Sequence, residues 1–355
     1  RNSNLELLRI LSMILIVMHH YSVHGGFDLS QYGLSFNKVI VQLLSLGGKL
    51  GVNCFVLITG YFMINSKFKL KKLFKILFQV FFYSFSIVII FYGLGIVEPN
   101  FKIILKSLFP TIFNLYWFST TYIVLYVLTP FINKFIKTIS KKELISLIII
   151  LVSMWCIIPT FTTASLAFSE VGWFFTLYLI ASYIRLYPNN FTSSCKYNVI
   201  IASCSYTILI ISVIIFDILG TKIGFFASKA TYFAAMNKLP IFICSVSMLL
   251  IFKNINMKSN RFINNLSMTM FGVYLIHDNP IIRPFLWESV FKNNLYIDSP
   301  YLLIHAIGSI VIVFICCSMI DYIRIRVVER PLFNLINRYE DRKKVGFITE
   351  VKSTY

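Results

Sequence analysis

Long apolar runs alternate with short basic connections along almost the whole chain. Runs of about 20 residues, the length a helix needs to cross a bilayer, lie near 5–23, 43–64, 76–97, 116–136, 143–160, 171–187, 198–219, 232–252, 262–282 and 301–323. The pattern predicts an all-α, polytopic membrane bundle of about ten transmembrane helices. Because the runs are continuous rather than short and alternating, an outer-membrane barrel is excluded. The second run is interrupted by Gly47, Gly48, Lys49 and Gly51, and the eighth by Pro240. Membrane helices tolerate such residues where neighbouring helices re-satisfy the backbone. A stretch near 101–114, broken by Lys102, Lys106 and Pro110, reads as interfacial.

The connections set the expected orientation. The even-numbered ones and the tail carry Lys67, Lys69, Lys71, Lys72 and Lys75; Lys134, Lys137, Lys141 and Lys142; Arg185 and Lys196; Lys253, Lys258 and Arg261; then Arg324, Arg326, Arg330, Arg338, Arg342, Lys343, Lys344 and Lys352. The odd-numbered ones carry only Lys38, Lys102, Lys106, Lys222, Lys229, Lys238, Arg283 and Lys292. Positive-inside bias places the even connections and both termini in the cytoplasm. The expected organisation is one membrane domain over 1–335 and a short basic cytoplasmic tail over 336–355, without a soluble appendage or an internal repeat. No cleavable signal is evident, and a chain that begins at Arg1 suggests that a few residues precede it.

Composition sharpens this picture in two ways. Apolar residues make up 57% and charged residues 13%, against roughly 45–50% and 25% in soluble domains, so lipid is the solvent for most of the chain. The net charge of +19 would suggest nucleic acid in a soluble protein. Here the basic residues lie between apolar runs, which points to topology and anionic lipid instead. The seven Cys show no metal-ligand spacing and read as reduced packing residues, and no metal is expected.

An ionisable group within a span costs ~2.5–3.5 kcal/mol or more, so each is a functional hypothesis. The first span, LELLRILSMILIVMHHY, carries Arg9, His19 and His20. Arg9 and His20 are eleven positions apart, which brings them within about 20° of one helix face at a separation of ~16 Å, while His19 points about 100° away. A cation at one end and an imidazole further up suit transfer of a group from a phosphorylated donor. The same residues also fit a structural reading, with Arg9 snorkelling to headgroups and the His pair at the far interface. Glu6, three residues before Arg9, is expected to pair with it.

The opening resembles the acyltransferase-3 family of integral membrane acyltransferases, whose first span carries a basic residue, ten intervening residues and a His. Arg9 and His20 match that spacing and His19 does not. Similar segments follow in order: GVNCFVLITGYFM at 51–63, YWFSTTYIVLYVLTPF at 116–131, FGVYLIHDNPIIR at 271–283 and DYIRIRVVERPLF at 321–333. The resemblance implies an O-acetyltransferase of the membrane-only form, without an appended extracytoplasmic hydrolase-like domain. It would move an acyl group, acetyl from acetyl-CoA, to a hydroxyl of an extracytoplasmic carbohydrate. The expected partners are a glycan or lipid-linked sugar acceptor and membrane lipids, not nucleic acid. The expected location is a bacterial plasma membrane.

The resemblance also assigns roles. His20 would be the base that takes the acceptor proton, an imidazole ordinarily titrating near ~6.5; a covalent acyl-His route is equally open. Arg9 would act with it and help to hold the donor. The family's Arg-x-x-Arg element is replaced here by Lys72 and Lys75, which keep the three-residue step but lack the planar fork of Arg. Positive-inside topology also accounts for that Lys cluster. His277, in YLIHDNP, occupies a place where the family often has a His, and an interfacial capping role fits it as well. Glu170 and Asp217 read as boundary charges, and Glu329-Arg330-Pro331 as the start of a new interfacial segment. Trp117 and Tyr122 fit either packing or an acyl path. The rival class is a transporter or flippase without acyl transfer, which the broken spans would suit; it would need neither His20 nor an acyl donor.

Overall fold

The computed structural model describes residues 2–162 and 164–338, and they are all-helical, with no strand among them. Seven helical stretches are long and apolar enough to cross a membrane: Ser3–Val23, Phe36–Met63, Leu70–Gly93, Lys141–Phe161, Cys195–Gly220, Tyr232–Asn254 and Leu302–Arg338. The remaining predicted spans are helical but shorter, more polar or broken. We number the principal helices α1 (Ser3–Val23), α2 (Phe36–Ser45), α3 (Gly47–Met63), α4 (Leu70–Gly93), α5 (Phe101–Leu108) and α6 (Trp117–Thr138). There follow α7 (Lys141–Phe161), α8 (Glu170–Leu186), α9 (Cys195–Gly220), α10 (Leu239–Asn254), α11 (Arg261–Leu266), α12 (Met270–His277) and α13 (Leu302–Arg324).

α1 lies at the centre, packed against α2, α3 and α10 to α13, and buries Leu5, Leu8, Val17 and Tyr21. The glycines that interrupt the second run are the reason α3 lies so close to it. A Cβ at Gly51 would meet the Ser12 carbonyl at 2.5 Å, and one at Gly48 would overlap the His19 ring. Small residues at such crossings let backbones approach where no hydrophobic driving force exists between helices. The glycines therefore do not break the span. The helical path begins earlier than expected, at Phe36, where the Ser35 hydroxyl accepts from the Lys38 N–H.

Other boundaries also shift. Pro240 stands in the first turn of α10, where its missing N–H costs nothing, rather than in the interior of the helix. α4 starts at Leu70, so Lys71, Lys72 and Lys75 are helical. The ninth predicted span is divided into α11, a 3-10 turn at Ser267–Thr269 and α12. Pro331 does not start a new segment: α13 continues through a π turn at Ile325–Glu329 to Arg338. That turn, closed from the Arg330 N–H to the Ile325 carbonyl, accommodates a proline that has no N–H to donate. Of the basic tail, 339–355 lies outside the described residues.

The peripheral helices expose apolar stripes. Ile208, Ile211, Ile215 and Ile218 on α9, and Ile304, Ile307, Val311 and Ile315 on α13, are exposed. Apolar surface on this scale is stable against lipid, not water. The even-numbered connections gather where α1 begins: Asn4 donates to the Lys253 and Ile255 carbonyls, Asn254 to the Thr192 carbonyl, and Lys71 to Asn337. The odd-numbered ones gather where α1 ends, with Asn37 donating to the Ile297 and Ser299 carbonyls. The bundle therefore has a basic end and an opposite end.

Candidate active site

His20 projects from α1 near the opposite end, and its surroundings decide its protonation pattern. The Val273 carbonyl lies 2.5 Å from His277 Nδ1. A carbonyl only accepts, so that nitrogen carries hydrogen, and Nε2 of the neutral ring is the acceptor. His20 Nδ1, 2.8 Å from His277 Nε2, then donates to it. This leaves His20 Nε2 with its lone pair, as a base requires. Asp278 Oδ1 stands 3.5 Å from His20 Nδ1, where a carboxylate stabilises the imidazolium once it forms. Asp278 is itself fixed by Arg283 Nε at 2.7 Å, with His24 Nε2 at 3.6 Å.

His277 is therefore fully buried and in contact with His20, not an interfacial cap. Asp278, which follows His277 directly in the chain, thus stands as a carboxylate beside His20. His24 is one helical turn beyond His20, an i, i+4 spacing that the sequence displays. His20, His24 and Asp278 offer atoms within 4.8 Å of one another, near enough to share a metal ion. In the hydrogen-bonded arrangement, however, His20 Nδ1 is committed to His277.

A small cavity of about 30 Å³ lies against His20, lined also by His19, Gly48, Lys49, Trp117, Phe118 and Tyr274. Lys49, noted in the sequence only as an interruption, places its ammonium 4.3 Å from the centre of the Trp117 ring. Among the described residues no carboxylate pairs with it, so a positive charge is held beside the imidazole. His19 Nδ1 is 2.6 Å from the Ser45 carbonyl and its ring lies against Gly48. Its role is to join α1 to α2. His19→Ala is accordingly expected to reduce activity less than ~10-fold, the scale of one hydrogen bond. Loss in a transfer assay equal to that of His20→Ala would contradict this division of roles.

At the basic end lies a larger cavity of about 260 Å³. It brings together Glu6 and Arg9 of α1, Lys72, Lys75 and Gln79 of α4, Tyr122 of α6, and Arg324 and Glu329 of α13 and its continuation. Arg9 pairs with Glu6 at 3.2 Å. Lys75 lies 2.5 Å from Glu329, which also accepts from Arg324 Nη1 at 2.8 Å. Behind it, Asp321 Oδ1 accepts from Arg324 Nε and from the Tyr83 hydroxyl, each at 2.7 Å. Gly272 makes room for this carboxylate, which a Cβ there would overlap. Lys72 contacts Met63 Sδ at 3.6 Å and has no carboxylate among the described residues. Cations therefore exceed anions on the wall, which favours a polyanionic ligand.

Phe118 lines both cavities. Its ring packs against Phe55, Phe174 and Tyr274, with centroids 6.2, 5.7 and 5.5 Å away. The Arg9 cavity and the His20 cavity thus share Phe118 as a wall residue. Every residue singled out in the sequence as catalytic or donor-binding borders one of these two spaces or touches a residue that does.

A family model described as an acyltransferase domain, that of acyltransferase-3, matches residues 2–322. The chain belongs to the acyltransferase-3 family. No curated protein and no solved structure matches it significantly. Together with the apolar bundle, membership makes this a membrane acyltransferase. The match runs from α1 into α13, so the imidazole site and most of the basic cavity fall within the acyltransferase-3 domain; Arg324, Ile325 and Glu329 lie just beyond it.

Proposed function

We propose that this membrane acyltransferase is an O-acetyltransferase that moves acetyl from acetyl-CoA to a hydroxyl of an extracytoplasmic carbohydrate. The observation that carries the reading is the base-competent His20, held by His277 and Asp278, in a cavity that shares Phe118 with another rich in cations. With the basic end cytoplasmic, as positive-inside bias requires, the donor enters the Arg9 cavity. Its phosphates meet Arg9, Lys72 and Lys75, and its thioester is directed past Phe118 towards His20. The acceptor comes from the opposite side of a bacterial plasma membrane, and both termini are cytoplasmic.

In direct transfer, His20 Nε2 takes the proton of the acceptor hydroxyl and the oxygen attacks the thioester carbonyl. A C–O bond forms, the C–S bond breaks, and the proton passes to the departing thiolate. Lys49 meets the negative charge that develops on the carbonyl oxygen. An acyl-His route uses the same nitrogen as nucleophile, with the same net balance. The charge excess at the basic end and the ordered imidazole favour this reading over a carrier, which needs neither.

The donor site has its own test. Lys72→Ala combined with Lys75→Ala should raise KM for acetyl-CoA about tenfold or more, since a charge-assisted contact contributes ~1.5–3 kcal/mol, with a smaller effect on kcat. Unchanged KM in purified protein would remove these lysines from the donor site. For the reaction itself, comparative mass spectrometry of surface glycans from cells with and without the gene should show acetyl esters only when the gene is present. Identical glycans would count against the assignment.

A further inference from the structure

Asp217 lies near the end of α9, in a run otherwise free of carboxylates. It is not a boundary charge exposed to solvent: its side chain is 1% exposed. Two residues one turn apart on α2 reach it. Lys38 Nζ stands 3.5 Å from Oδ1, and Gln42 Nε2 donates to the same oxygen at 3.1 Å. All three line a cavity of about 440 Å³ at the opposite end of the bundle, between α2, α9 and the 227–231 loop. This volume falls in the ~300–1,000 Å³ range of small-molecule sites.

Two atoms of this cluster remain without a partner among the described residues. They are Asp217 Oδ2 and Gln42 Oε1, both buried. A carboxylate oxygen and an amide oxygen only accept, so what completes them must donate hydrogen. The Lys38 ammonium already balances the carboxylate charge, so no second cation is called for. The exposed rim supplies hydroxyls from Thr221 and Ser228, which both donate and accept.

We infer that this cavity binds a neutral, polyhydroxylated ligand, a sugar residue, whose hydroxyls donate to Asp217 Oδ2 and Gln42 Oε1. The ligand seats against α2, the helix whose Ser45 carbonyl holds His19 beside the imidazole site. Identifying this sugar with the acyl acceptor rests on the proposed transfer reaction; the binding itself does not.

Saturation-transfer NMR on the full chain in lipid nanodiscs, with maltose, lactose and chitobiose as probes, tests the inference. Wild type and His20→Ala should both transfer saturation to at least one disaccharide. Ser228→Trp, which fills the cavity from its exposed rim, should abolish the signal. Gln42→Leu should weaken binding ~10-fold, as expected for one lost hydrogen bond to a charged cluster. Ser228→Trp keeps the test decisive if Gln42→Leu does not fold. Absence of any sugar signal in wild type, or an unchanged signal in Ser228→Trp, overturns the inference. If transfer to glycan persists with either result, only this site fails. Sugar binding blocked by Ser228→Trp without any acyl transfer would instead strike the proposed reaction and leave the site standing.

Discussion

His20→Ala is expected to abolish acylation while the protein remains folded and abundant in the membrane. General-base catalysis contributes ~10²–10⁴-fold, so ester signal in the glycan should fall at least ~100-fold. The reason is geometric: the Val273 carbonyl fixes His277, His277 fixes His20 Nδ1, and the remaining nitrogen is the one left to take a proton. NMR of the isolated glycan, with immunoblotting of membranes, measures both quantities. Persistent O-acetyl resonances at wild-type intensity would contradict the role given to His20.

Lys49→Met should be the second most damaging single substitution. Methionine keeps the length and most of the packing over Trp117 but removes the charge held beside His20. Removing one donor to a developing oxyanion costs ~10²–10³ in kcat. KM for acetyl-CoA should change little, since the cations proposed to hold the donor phosphates line the other cavity, at the basic end. A rise in KM with unchanged kcat would place Lys49 in ground-state binding instead. Steady-state kinetics on purified protein separates the two.

The helical class and the opening motif were legible because apolar run length and an eleven-residue spacing are local properties of the chain. Arg9, Glu6, Lys72 and Lys75 border one cavity. What escaped the sequence depends on contacts between distant segments. Asp278 joins His20 only because α12 packs on α1, across 257 intervening positions in the numbering. Arg324 looked like one more topology charge, yet it is buried between Asp321 and Glu329. Asp217 looked like a boundary residue because nothing in α9 announces its partners on α2. The glycine cluster read as a weakness in the second span. Its meaning is a close helix crossing, which only the partner helix reveals.

In the proposed reaction, an imidazole on the first helix moves an acyl group from a donor at the basic end to a hydroxyl at the opposite end. Membrane vesicles from cells that carry the gene, retaining their own surface glycan, test it most directly when acetyl-CoA labelled in the acetyl group is supplied on the cytoplasmic face. The account predicts label in an alkali-labile ester on the glycan with wild-type protein, and background with His20→Ala. Equal label in both preparations, or none in either, would contradict it.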